Sequence, residues 1–163
     1  MNYLVDSNVY IEAKNRYYRM TFCPGFWDWM DEKLAVGDVG SIHMVYRELA
    51  DKGDSLADWV KARSDLFAES DSEDTQKVFT DIAEFVTAHP VLAEPHVGEF
   101  LSKADSWIIA HACTTGAAVV THEALAPEDS KRVKIPNVCK QFDVKYCDTF
   151  DLLDNLGMQL VQK

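Results

Sequence analysis

Four acidic residues stand where a strand or helix pattern begins or ends: Asp6, Glu48, Asp105 and Glu123. Carboxylates gathered in one site repel one another, and the repulsion raises their pKa values unless a counter-charge is present. A divalent cation supplies that charge. An all-oxygen donor set suits Mg²⁺ or Mn²⁺ better than zinc. A cation held this way lowers the pKa of water and neutralises charge on a phosphoryl oxygen. The chemistry to which the four acids point is therefore phosphodiester hydrolysis. Taken singly, each acid also has an ordinary reading. Asp6 and Asp105 read as helix caps, Glu48 as a solvated helix residue and Glu123 as a loop residue. Only convergence in space separates the two readings, and that depends on the elements that carry them.

The pattern along the chain predicts those elements. Tyr3-Leu4-Val5 is a short β-favouring run that stops at Asp6-Ser7-Asn8, three cap and turn formers. A helix opens near Val9. Residues 17–30 are aromatic-dense with a break at Pro24-Gly25, read as a loop followed by a helix over Phe26–Ala35. A turn and second strand follow over Val36–Ser41. The next helix carries Val45, Tyr46 and Leu49. Ser55 is expected to cap another helix, with Leu56, Trp59, Val60 and Phe67 near helical spacing. Thr75–His89 is the cleanest amphipathic helix, with Val78, Ile82, Phe85 and Val86 on one face. A helix is expected over Lys103–Thr114 and a buried strand over Ala117–Thr121. Residues 124–137 read as a long polar loop with Lys134–Pro136 extended. A short helix over Val138–Phe142, a strand over Val144–Cys147 and a helix over Thr149–Leu156 complete the chain.

Alternating strands and helices predict an α/β class: a central parallel sheet of about four or five strands with helices on both faces. In such a sheet the carboxyl ends of all strands share one edge, where ligands bind. Asp6 and Glu123 each follow a strand, so residues far apart in sequence could meet there.

Composition bounds the function. The 163 residues suit one domain, 1–163, and 47% are hydrophobic, enough for a real core. The chain carries 16 basic and 27 acidic residues, a net charge of -11, which argues against gripping long duplex nucleic acid by an overall basic surface. The excess is local: residues 51–100 hold 4 bases and 12 acids, whereas residues 101–150 hold 6 of each. No apolar run approaches the ~18 residues of a membrane span. The opening MNYLVDSNVYIEA has no basic stretch ahead of its apolar run, so no secretory leader is expected and the expected compartment is the cytoplasm. Cys23, Cys113, Cys139 and Cys147 form no C-x-x-C pair and read as reduced core residues.

Taken together and in order, V-D-S-N-V (5–9), V-Y-R-E-L (45–49), K-A-D-S-W-I-I-A-H-A (103–112) and V-V-T-H-E (119–123) resemble a PIN domain. That family contains the VapC-type ribonuclease toxins. The likeness runs from Tyr3 to about Leu153, and the closing segment from Lys134 resembles the family's last strand and helix. The resemblance implies a Mg²⁺- or Mn²⁺-dependent endoribonuclease acting on single-stranded or structured RNA. It also implies a cognate antitoxin and a possible homodimer, with no membrane partner. It maps the family's catalytic and metal-holding acids onto Asp6, Glu48, Asp105 and Glu123, with Asn8 and Thr121 as groups that orient them. Glu123 departs from the family, where the last acid is commonly Asp; Asp129 is a weaker candidate for that role. The aromatic segment around Phe26-Trp27-Asp28-Trp29 is not general to PIN domains.

Three further features carry alternatives. Tyr17, Tyr18, Phe22, Phe26, Trp27 and Trp29 could stack unpaired bases, with Arg16 and Arg19 beside them for phosphates, or could form a satellite core or an interface. Lys131, Arg132 and Lys134, with Lys140 and Lys145, could guide an RNA backbone or be ordinary loop charge. A catalytically inert PIN-like module that binds RNA or protein is the alternative to a nuclease. A phosphatase of haloacid-dehalogenase type would need a second Asp at position 8, which Asn8 occupies.

Overall fold

Tyr3–Val5 forms β1, and its neighbours in the sheet are decided by register rather than by chain order. The computed structural model describes residues 2–161; residue 1 and residues 162–163, the ends of the expected domain, lie outside them. After β1 come α1 (Ser7–Glu12), α2 (Pro24–Val36), β2 (Val39–Ile42), α3 (His43–Ala50), α4 (Ser55–Lys61) and β3 (Phe67–Ala68). Then come α5 (Glu73–Ala88), α6 (His96–Ser102), α7 (Ala104–Thr115), β4 (Ala118–Val120), α8 (Ile135–Gln141), β5 (Tyr146–Cys147) and α9 (Thr149–Asn155).

The five strands pair in parallel in the order β3-β2-β1-β4-β5. Leu4 sits between Gly40 of β2 and Val119 of β4. Consecutive side chains of a strand point to opposite faces. Leu4 and Val5, Ser41 and Ile42, and Val119 and Val120 are all buried, so both faces of the sheet are covered. This is the α/β class and layering that the alternating pattern predicts. The chain leaves β1 toward β2 and β3 on one side and returns to β4 and β5 on the other. The reversal falls between β1 and β4, where the crevice of an open α/β sheet opens at the carboxyl edge.

Local chemistry ends the helices that build this edge. Ser72 caps α5 by accepting from the Thr75 N–H at 3.2 Å, and Glu73 and Asp74 complement the dipole of its first turn. Gly116 ends α7 at φ 74°, a left-handed conformation open to glycine, and lets the chain turn directly into β4.

Several elements differ from the sequence reading. Asp54, not Ser55, caps α4, accepting from the Ala57 N–H at 2.9 Å. Phe67 is not helical; it pairs with Ser41 as β3, an edge strand too short for its alternation to show. The residues before α7 form a separate helix, α6, which the Pro95 and Gly98 neighbourhood disguises as loop. Of the expected extended segment Lys134–Pro136 only Lys134 is extended, because Ile135 and Pro136 open α8, where the missing N–H of Pro136 costs nothing. A π-helical turn, Ala13–Tyr17, continues α1 and takes in the first residue of the aromatic segment.

Candidate active site

Asp6 is the first residue beyond β1, and its N–H donates to the carbonyl of Val120 at the end of β4 at 3.0 Å. It therefore sits at the reversal point of the sheet, with no solvent exposure. Glu48 comes from α3, Asp105 from the first turn of α7, and Glu123 from just beyond β4. Burial is the main cause that pushes the Asp6 carboxyl up to about 8, and the charges of Asp105, Glu123 and Glu48 add to it. Burial likewise pushes Asp105 up to about 6, with Glu123 and Glu48 adding and Lys103 opposing. The fold thus brings all four acids within electrostatic reach of one another.

The two aspartates and the two glutamates are held differently. Glu48 has both oxygens engaged: Ser7 Oγ donates to Oε2 at 2.8 Å, and the Ala104 N–H donates to Oε1 at 3.0 Å. It acts as a remote cap for α7, tying the start of that helix to the start of α1. Glu123 is engaged too. Its Oε2 accepts from the Ile135 N–H at 2.7 Å, and Lys134 Nζ stands 3.6 Å from Oε1. Asp6 receives two long side-chain hydrogen bonds, 3.4 Å from Ser7 Oγ and 3.4 Å from Thr121 Oγ1, and a Ser7 backbone hydrogen bond that opposes the rise of its pKa. Among the described residues no other side chain donates to Asp105.

Thr121 links two of the acids. Its hydroxyl donates toward Asp6 and accepts from the Glu123 N–H at 3.1 Å. Asn8 lies elsewhere: it is exposed and makes no hydrogen bond to any of the four carboxylates among the described residues. The bridging polar residue is Ser7, which the sequence reading missed. Its signal was present, since Ser7 is a hydroxyl residue that directly follows the acid at the strand end.

Asp105 and Glu123 line a cleft of about 260 Å³ together with Lys103, Arg132 and Lys134. Of the candidate phosphate contacts, Arg132 and Lys134 reach this cleft. Arg16 is exposed and pairs with Glu12 one turn away at 3.3 Å. Arg19 is exposed and bonds the Asn15 carbonyl. Lys131 is exposed, and Asp129 is an exposed loop residue absent from the charges that act on Asp6 and Asp105. The aromatic segment splits in two. Phe26 and Trp27 are buried, and Tyr18 stacks on Phe26 with ring centres 4.3 Å apart, so these form a satellite of the core. Tyr17 stays half exposed and packs against His122 and Phe150.

The donor chemistry fits a small hard cation. Asp6 is a buried carboxylate with weak hydrogen bonds, pressed by three other acids, and Asp105 opens beside it to the cleft. Among the described residues no group of three or more His, Cys, Asp or Glu side chains forms a ready metal cage. Mg²⁺ does not require one, since it keeps several waters and is held by one or two carboxylates and substrate phosphate. Asp6 and Asp105 are the two residues free to hold it.

The architecture is shared with known proteins. A chain of VapBC2 from Rickettsia felis, solved in a crystal structure bound to a DNA fragment from their promoter, superposes with a TM-score of 0.52. The identity is 12%, over 91% of this chain and 98% of that one. The fold is therefore an α/β fold of PIN-like type. The chain itself belongs to the family described as Domain of unknown function (DUF4411), which matches residues 3–160. No curated protein matches it. Among the described residues no helix is long and apolar enough to cross a membrane.

Proposed function

We propose that this protein is a divalent-cation-dependent endoribonuclease and the toxin of a toxin–antitoxin pair. The observation that carries the reading is the pair of raised carboxyls, Asp6 at about 8 and Asp105 at about 6, at the carboxyl edge between β1 and β4. Carboxyls raised by burial and like charge beside a cleft point to a functional site, and a cation would relieve their repulsion. The fold likeness to a VapBC chain supports an antitoxin partner, and the reading places both in the cytoplasm with their RNA.

Bound Mg²⁺ or Mn²⁺ would supply Lewis-acid stabilisation of a phosphoryl oxygen and a more acidic water. The chain's own residues do the rest. Asp6 and Asp105 hold the cation. Thr121 orients Asp6. Glu48 fixes the start of α7, and with it Asp105, against the start of α1. The reaction adds water across the P–O3′ bond of RNA, leaving a 5′-phosphate and a 3′-hydroxyl.

The test is cleavage of a synthetic single-stranded RNA in Mg²⁺ or Mn²⁺. EDTA and Asp6→Asn should each abolish it while the circular dichroism spectrum of the variant stays native. Cleavage by Asp6→Asn at the wild-type rate would overturn the assignment. The internal engagement of Glu48 and Glu123 favours a second reading, an inert module that binds RNA. That reading predicts binding with no cleavage in either metal.

A further inference from the structure

We propose that Glu123 is a positioning residue that latches the loop 124–134 and thereby holds Arg132 and Lys134 over the cleft as the phosphate-binding wall for the RNA. This inference rests on the nuclease reading and assigns the side chains that would take its substrate. The latch is the bond from the Ile135 N–H to Glu123 Oε2, at 2.7 Å, with Lys134 Nζ 3.6 Å from the other oxygen. A carboxylate committed to the first N–H of α8 sits where the helix dipole favours it. The other oxygen faces the Lys134 ammonium, whose charge disfavours a cation there.

The loop is pinned at two further places. Asn137 exchanges two 2.9 Å hydrogen bonds with the backbone of Ala126, and the Ala93 N–H donates to the Lys131 carbonyl at 3.3 Å. Between these anchors Arg132, Val133 and Lys134 run along the cleft that also exposes Asp105. The same three residues border a larger groove of about 580 Å³ that adds Lys140 and His89. Cleft and groove therefore share the segment Arg132-Val133-Lys134 as a common border, with Asp105 and Glu123 on the cleft side and Lys140 on the groove side.

An acidic site needs such a wall. Each nucleotide of RNA brings a negative charge, and the carboxylates and the overall charge of -11 repel it. Arg132 offers a planar fork for phosphate oxygens and Lys134 a point charge. The longer side chain explains the choice of Glu over Asp: Asp would withdraw the carboxylate by about 1.5 Å, one C–C bond, and break the latch.

The test measures cleavage of a single-stranded oligoribonucleotide across Mg²⁺ and KCl concentrations. Glu123→Asp should raise KM about tenfold and flatten the salt dependence of binding by about one contact. The Mg²⁺ concentration at half-maximal rate should stay within about twofold of wild type, because Asp6 and Asp105 hold the cation. Glu123→Gln keeps an oxygen for Ile135 and should fall between wild type and Glu123→Asp in KM. Arg132→Ala and Lys134→Ala should reproduce the KM effect. A raised Mg²⁺ requirement with unchanged KM in Glu123→Asp would make Glu123 a cation ligand and overturn the proposal. If the wild type cleaves nothing, the nuclease reading fails by itself. The latch is then read by amide hydrogen exchange: Glu123→Asp should speed exchange at Ile135 and along 124–134, and unchanged exchange there overturns it.

Discussion

Asp6→Asn should make the fold more stable near neutral pH and slightly less stable in acid. The sign follows from the proton balance. The unfolded chain releases the Asp6 proton above its ordinary value of 3.8, whereas the folded chain keeps it up to about 8. Between those limits the folded state binds more protons, so stability falls as pH rises. The loss grows by about 1.4 kcal/mol per pH unit and reaches about 4 kcal/mol near pH 7. Asparagine cannot ionise and removes this loss. It also brings a buried amide whose N–H₂ replaces a carboxylate oxygen that accepts from Ser7 or Thr121, so that donor meets donor, which offsets about 1–2 kcal/mol. The net gain is about 2 kcal/mol near pH 7, or roughly 4–8 °C in Tm for a chain of this length. Near pH 4 only the amide cost remains. The assay is thermal unfolding of both proteins in EDTA across pH 4 to 8. The two curves of Tm against pH should cross. Added Mg²⁺ should raise the wild-type Tm near pH 7 and leave Asp6→Asn unmoved. A variant that lowers Tm equally at both ends of the range would refute the buried, like-charge origin of the site.

Ser7→Ala leaves Glu48 Oε2 without its 2.8 Å donor and should cost about 1–3 kcal/mol in urea unfolding, whereas exposed Asn8→Ala should stay within about 0.5 kcal/mol. Phe26→Ala removes a fully buried ring stacked between Tyr18 and the edge of Trp27 and should cost about 3–5 kcal/mol, read as a lower thermal midpoint. All four cysteines are free; exposed Cys113 should react at once with a thiol reagent in the native state. Buried Cys139, whose thiol burial pushes up to about 12, should react only on unfolding, and rapid native labelling of Cys139 would contradict its placement.

The α/β class was legible in the sequence because β1 and β4 are each a continuous apolar run stopped by a polar residue. Tyr3-Leu4-Val5 before Asp6 and Ala118-Val119-Val120 before Thr121 need no partner to be recognised. Asp6, Asp105 and Glu123 were legible for the same reason, since each stands beside the end of a recognisable element, whereas Glu48 lies inside α3. The edge strand β3 and the short helix α6 were not. Two residues cannot display an alternation, and Phe67–Ala68 becomes a strand only because Ser41–Ile42 offers it a ladder. The division of labour among the acids was also beyond the sequence. Hydrogen bonds from Ser7 and Ala104 to Glu48 join residues 41 and 56 positions apart, and no local pattern encodes such a pairing. Residue types and their order determined which carboxylates could meet. Only the packing of α1, α7 and α8 decided which two are tied up as helix caps and which two are left with few hydrogen bonds.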